Sequence, residues 1–211
     1  MNSYQKKIAQ TIEVLTAIKI IPVLALDRVE DGLKLCGLLA ELGLNAAEIT
    51  FRTQAAPEII KEACKRFPSL MIGAGTILNV ADLHRAFAVG AKFAVAPGFN
   101  PTVLREAVKS DYAFAPGVCT PSEVEQAYEL GAALLKFFPA EAAGGIPMLQ
   151  AIIAPYRHLG LKFMPTGGIT VDNAGKYLAI PEVVAVGGTW IGKDIPDWDK
   201  VTQDIRKAAQ L

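Results

Sequence analysis

One arrangement recurs along the chain and narrows the folds open to it. Helix-like segments end near glycine, and an apolar run follows at once. Leu42-Gly43 precedes Ala46–Phe51, Val89-Gly90 precedes Phe93–Ala96, Leu130-Gly131 precedes Leu134–Phe138, and Leu159-Gly160 precedes Lys162–Met164. Glycine just past a helix end is the expected stop signal. The apolar runs then close on turn residues and helix starters. In Asn100-Pro101 and Thr120-Pro121, Asn100 and Thr120 are expected N-caps with proline at the first helical position. Ile21–Leu26, Met71–Ala74, Ala113–Ala115 and Val183–Val186 complete a set of eight strands, with helices such as Asp31–Leu42 and Glu58–Phe67 between them. Strict strand–helix alternation predicts a parallel sheet with helical crossovers. Eight such units in 211 residues fit an α/β fold of the compact (β/α)8 TIM barrel type. The competing architecture is an open doubly wound sheet, but no GxGxxG follows the first strand to mark a dinucleotide site. The amphipathic spacing of Ile8, Ile12 and Leu15 predicts an extra N-terminal helix within Met1–Lys19, placed to cover the barrel bottom. With no linker or low-complexity segment, residues 1–211 are expected to form one domain.

Charge and composition remove several function classes. Lys plus Arg and Asp plus Glu both number 21, so no basic excess points to nucleic acid or an anionic membrane. Apolar stretches are strand-sized, and no transmembrane span is visible. The polar start, Met1–Gln10, lacks the apolar core of a signal peptide, so a cytoplasmic location is expected. Cys36, Cys64 and Cys119 are widely spaced and read as reduced thiols, with Cys36 and Cys64 in the core. His84 lies in a helical stretch and His158 near a helix end, and no HxH or HExxH occurs, so no metal is expected.

The chemistry is read from two strands. Leu134-Leu135-Lys136-Phe137-Phe138 carries a lysine in the middle of a run that reads as a fully buried strand. Burying an ammonium is unfavourable, and a lysine so placed tends toward the neutral amine, a nucleophile for carbonyl carbons. The plainer alternative is a side chain that reaches past the strand end to water. In Ala46–Arg52, Glu48, Thr50 and Arg52 share one face, and Ile49 and Phe51 share the other. A structural Glu48–Arg52 ion pair is one reading. The other sets Glu48 across from Lys136 as proton shuttle and frees Arg52 to grip a substrate carboxylate. Gly167-Gly168 and Gly187-Gly188 follow the last two strands, where barrels of this class bind phosphate, and Thr189 adds a hydroxyl. A third glycine turn, Gly73-Ala74-Gly75-Thr76, would bring substrate close to backbone, with Thr76 as donor.

Taken in order, Glu48-Ile-Thr-Phe-Arg52-Thr53, Gly73-Ala-Gly-Thr76, Pro97-Gly98, Lys136-Phe-Phe-Pro-Ala-Glu141, Pro165-Thr-Gly-Gly-Ile169 and Gly187-Gly188-Thr189-Trp190 resemble the KHG/KDPG aldolase family. The resemblance runs over essentially the whole chain. It implies a metal-free, class I aldolase of the Entner–Doudoroff pathway on a (β/α)8 barrel, a homotrimer without a cofactor beyond its own Schiff base. Matched by motif, Lys136 is the Schiff-base lysine and Glu48 the general acid/base. Arg52 and Thr76 fall on positions that meet the pyruvate-derived end, and Pro97 and Phe138 on pocket walls. Thr166, Gly167 and Gly168 bear on the carboxylate and the phosphate region, and Gly187 and Gly188 on the phosphate loop. Two departures stand out: Thr189 and Cys119 occupy positions where relatives often have serine. The implied reaction splits 2-keto-3-deoxy-6-phosphogluconate (KDPG) into pyruvate and glyceraldehyde 3-phosphate. Alternative substrates are the galactonate epimer and 4-hydroxy-2-oxoglutarate. Different classes are a phosphosugar isomerase or epimerase with Glu48 as base, and a non-catalytic phosphometabolite-binding barrel.

Overall fold

The structure, a computed structural model, describes residues 2–211; Met1 of the expected first helix lies outside them. The chain starts with α1 (Ser3–Ile18), capped by Asn2 in a reciprocal box with Gln5. Strands and helices then alternate: β1 (Ile20–Leu24), α2 (Val29–Glu41), β2 (Ala46–Thr50), α3 (Ala56–Arg66), β3 (Met71–Gly75), α4 (Val80–Ala88), β4 (Phe93–Val95) and α5 (Pro101–Lys109). The second half holds β5 (Phe114–Ala115), β6 (Gly117–Val118), α6 (Pro121–Glu129), β7 (Leu134–Phe137), α7 (Gly145–Tyr156), β8 (Lys162–Phe163), α8 (Val171–Leu178), β9 (Val186–Gly188) and α9 (Trp198–Ala208). Helix starts follow the expected chemistry. The Asn100 side chain accepts from the Thr102 and Val103 amides, and Thr120 forms a capping box with Glu123.

All strand pairs are parallel. One sheet runs β5-β4-β3-β2-β1-β9 and the other β6-β7-β8. Parallel bridges from Phe163 to Val183 and from Thr166 to Gly187 link the second sheet to the β9 side. The result is an α/β fold with a curled parallel sheet. Two expected strands differ in outline. The fifth, expected over Ala113–Ala115, is followed by a further short strand, β6, beyond Pro116, which lacks an N–H for the ladder and uses its carbonyl to accept from the Lys136 amide at 2.9 Å. The last ladder starts at Val186 and runs through Gly187 and Gly188, which pair with Ile21 and Pro22. Glycine is a poor strand former by itself, and tertiary pairing overrides that preference here.

The side chains of the sheet sort by strand alternation. Leu24, Ala47, Ile49, Ile72, Ala74, Leu135 and Phe137 face outward into a core shared with the helices. Ile21, Ala46, Met71, Phe93 and Leu134 face inward and pack with Tyr4, Ile8 and Leu15 of α1. The inward face is therefore apolar where the strands begin. Two residues further on, in β2 and β7, it turns polar at Glu48 and Lys136. Elsewhere, Cys36 is buried, and Cys64 donates its thiol to the Gly90 carbonyl at 3.2 Å. His84 meets Glu106 at 3.1 Å on the surface. Among the described residues, no helix is long and apolar enough to cross a membrane.

Candidate active site

Lys136 stands one step above Leu134 on the inward face of β7, and Glu48 one step above Ala46 on β2. The lysine is 4% exposed and the glutamate 1%. Its Nζ contacts Glu48 Oε1 at 2.9 Å and Oε2 at 3.1 Å. Lys136 thus neither reaches solvent nor stands alone: its nitrogen meets both oxygens of one carboxylate. Burying a single charge without a partner is strongly unfavourable, so each of these groups makes the other's position possible. The Phe138 ring centroid lies 5.9 Å from the same nitrogen.

Glycine creates the room for this contact. A side chain at Gly75 would collide with the Glu48 carboxylate, and one at Gly73 with the Phe93 ring. The glycines of β3 therefore admit neighbouring side chains. Thr76, directly after them, has φ of 59°, a left-handed conformation unusual for a β-branched residue. Strain of this kind collects at functional sites.

Arg52 is not paired with Glu48. Its Nε donates to Thr50 Oγ1 at 3.2 Å, and Thr50 in turn donates to the Leu24 carbonyl at 2.9 Å. The structural Glu48–Arg52 ion pair is thereby replaced by Glu48–Lys136.

The opposite wall is made of backbone. Gly167 and Gly168 have φ of 103° and 78°. The Thr166 and Gly167 carbonyls accept from the Ala140 and Glu141 amides at 2.8 and 3.0 Å, and the Gly168 carbonyl accepts from Asn173 Nδ2 at 3.1 Å. Three successive carbonyls are engaged; the Gly168 and Ile169 amides meet no acceptor among the described residues, and the Gly167 amide belongs to the parallel bridge between Thr166 and Gly187. Glu141 packs where a Gly168 side chain would stand, and it accepts a short hydrogen bond from the Tyr177 hydroxyl. Burial, then this carboxylate, push the Tyr177 phenol up, which keeps it a donor. Thr166 is 4% exposed, and its hydroxyl has no partner among the described residues.

These walls border a cavity of about 130 Å³ lined by Val23, Glu48, Thr50, Arg52, Thr76, Pro97, Lys136, Phe138, Thr166, Gly167, Gly168, Gly188 and Thr189. The expected site residues come together here except Gly187, which stands behind the wall: a side chain there would strike Thr166 Oγ1. Val23 and Thr50 are additions. Thr50 was visible as the residue between Glu48 and Arg52 on one strand face. Val23 gave no signal inside an apolar run. A wider space of about 280 Å³ adjoins through Val23, Arg52 and Thr189 and reaches Lys193.

Comparison with known proteins gives a consistent answer. The family described as "Aldolase: KDPG and KHG aldolase" matches residues 11–204. The 2-dehydro-3-deoxy-phosphogluconate aldolase of Haemophilus influenzae is 41% identical over 206 residues, covering 96% of both chains. The 2-keto-3-deoxy-6-phosphogluconate aldolase of Zymomonas mobilis ZM4, crystallised with 3-phosphoglycerate, superposes with a TM-score of 0.87 at 36% identity, covering 94% of each chain. The KDPG aldolase of Legionella pneumophila, with pyruvate captured at low pH as a covalent carbinolamine intermediate, gives 0.82 at 36% identity over 93% of each. A cavity built around a buried lysine and carboxylate, in a chain matched along nearly its whole length, makes this protein a member of the KDPG and KHG aldolase family.

Proposed function

We propose that this protein is a class I aldolase that cleaves KDPG to pyruvate and glyceraldehyde 3-phosphate through a Schiff base on Lys136. The observation that carries this reading is the buried Lys136–Glu48 contact, 2.9 Å long, in the wall of a cavity. Glu48 is placed to take a proton from the Lys136 ammonium, so that the free amine adds to the C2 ketone, and to return that proton to the alkoxide, giving the carbinolamine. A second proton then passes from the nitrogen through the same carboxylate to the hydroxyl, water leaves, and an iminium forms. The iminium accepts the electron pair of the C3–C4 bond as that bond breaks. Glu48, directly or through a water, takes the C4 hydroxyl proton, so the leaving fragment departs as an aldehyde. The enamine is then protonated at C3, and water hydrolyses the iminium to pyruvate and free lysine.

The other residues divide by position. Arg52 and Thr76 hold the pyruvate carboxylate, and Pro97 and Phe138 wall the pocket. Thr166, Gly167 and Gly168 serve the junction between carboxylate and phosphate. Gly188 and Thr189 receive the phosphate, with Gly187 giving Thr166 its space. Covalent pyruvate in the Legionella relative supports the lysine chemistry, and 3-phosphoglycerate in the Zymomonas relative supports a phosphorylated ligand. We read the scaffold as a single (β/α)8 barrel domain with α1 as an extra helix across its base, working as a cytoplasmic homotrimer. Schiff-base lysine chemistry asks for no metal or cofactor. Pyruvate release from KDPG, its galactonate epimer and 4-hydroxy-2-oxoglutarate, followed with a coupled dehydrogenase, tests the assignment. KDPG should give the highest kcat/KM. Absence of pyruvate from all three would remove the aldolase reading, and a preference for either other compound would reassign the substrate.

A further inference from the structure

We infer that Thr50 is a positioning residue: it fixes the aim of Arg52, and through Arg52 it sets the affinity for the carboxylate end of the substrate. This deepens the reading of Arg52 proposed above and rests on it. Thr50 is 1% exposed and lies on the cavity wall at the end of β2, between Glu48 on the inward face of that strand and Arg52 in the turn that follows. A hydroxyl has one hydrogen to give. Thr50 gives it to the Leu24 carbonyl of the neighbouring strand at 2.9 Å, which fixes the rotor. The oxygen lone pairs then face the remaining donor, Arg52 Nε, at 3.2 Å.

Nε is the inner nitrogen of the guanidinium, so holding it sets the plane of the whole group. The two terminal nitrogens meet no acceptor among the described residues, which leaves the fork open for a planar, two-oxygen anion. The acid next on this strand face does not compete for that fork. Glu48 spends both oxygens on Lys136, at 2.9 and 3.1 Å. Arg52 itself is exposed, and a long side chain without the Thr50 contact would sample many rotamers. The chain β1 carbonyl, Thr50 hydroxyl and Arg52 guanidinium thus transmits the rigidity of the sheet to a mobile cation.

The test uses the full chain. Thr50→Val keeps the branching and removes the hydroxyl, and Thr50→Ser keeps the hydroxyl. Arg52→Ala and the Thr50→Val/Arg52→Ala double variant complete a cycle. The readouts are the pyruvate concentration for half-maximal labelling of Lys136 under borohydride, and KM and kcat for KDPG. Thr50→Val should raise the half-saturating pyruvate and KM about tenfold, the range of a lost hydrogen bond to a charged group, with kcat within about twofold. Thr50→Ser should restore both to within about twofold. The double variant should be no weaker than Arg52→Ala, because Thr50 acts only through Arg52. Thermal melts check folding, and Thr50→Ala takes the place of Thr50→Val in the cycle if the valine variant does not fold. Unchanged pyruvate affinity in the hydroxyl-free variant overturns the inference, as do multiplying effects in the double variant or no rescue by serine. These results leave the aldolase reading standing. Wild-type protein that pyruvate never labels removes the aldolase reading and this inference together.

Discussion

The two walls of the cavity are built by opposite means. On the lysine side the lining groups are side chains: Glu48 and Lys136 rise from β2 and β7, and an apolar layer beneath holds them in place. On the glycine side the lining is backbone of the Thr166–Ile169 turn, and its direction is set from outside the turn. Ala140 and Glu141 hold two of its carbonyls, and Asn173 of α8 holds the third. A side-chain wall is set mainly by strand period, burial and the room that Gly75 leaves. A backbone wall needs supports remote in sequence, each of which can fail separately. The lysine wall should therefore govern the chemical step, and the glycine wall the binding of the phosphorylated end.

Substitutions on each wall test this division. Lys136→Ala should show the largest effect, lowering KDPG turnover at least about ten-thousand-fold, since no other group supplies the electron sink. Retained turnover in a steady-state assay would end the division at once. Glu48→Gln keeps the shape and removes the proton carrier. It should lower kcat about a thousandfold with KM changed far less. Gly75→Ala drives a methyl into the Glu48 carboxylate. It should lower kcat about a hundredfold by displacing the same proton carrier, because small misplacements of a reacting group carry losses of that order. Asn173→Ala removes both the donor to Gly168 and the acceptor for the Thr170 amide. It should raise KM for KDPG about fivefold and lower stability by about 1 kcal/mol. KM for unphosphorylated 4-hydroxy-2-oxoglutarate should stay within about twofold. If Asn173→Ala instead lowers kcat for both substrates with KM unchanged, the two walls do not divide the labour.

The same contrast explains what the sequence disclosed. Alternation along Ala46–Arg52 and Leu134–Phe138 put Glu48, Thr50, Arg52 and Lys136 on cavity-facing positions, because each strand has one face against helices and one turned inward. Alternation states a face but not a neighbour across the sheet. Both Lys136 and Arg52 were therefore open partners for Glu48, and only the curl of the sheet selects Lys136. Glycines were visible as turns, but their purposes were not. Gly75 makes way for Glu48 and Gly187 for Thr166, contacts between separate strands that local sequence cannot encode. Gly187 and Gly188 also read as loop, yet they form β9 because Ile21 and Pro22 of β1 offer a paired edge. Asn173 gave no signal at all, since its amide serves a turn five residues away.

The central claim is that the Lys136 amine forms a covalent bond with the keto substrate, and one measurement addresses it directly. The protein is incubated with pyruvate, reduced with borohydride, digested, and mapped by mass spectrometry. A single 1-carboxyethyl adduct on the peptide that carries Lys136, absent without pyruvate, is the predicted result. Active protein with no adduct, or with the adduct on another lysine, would contradict it.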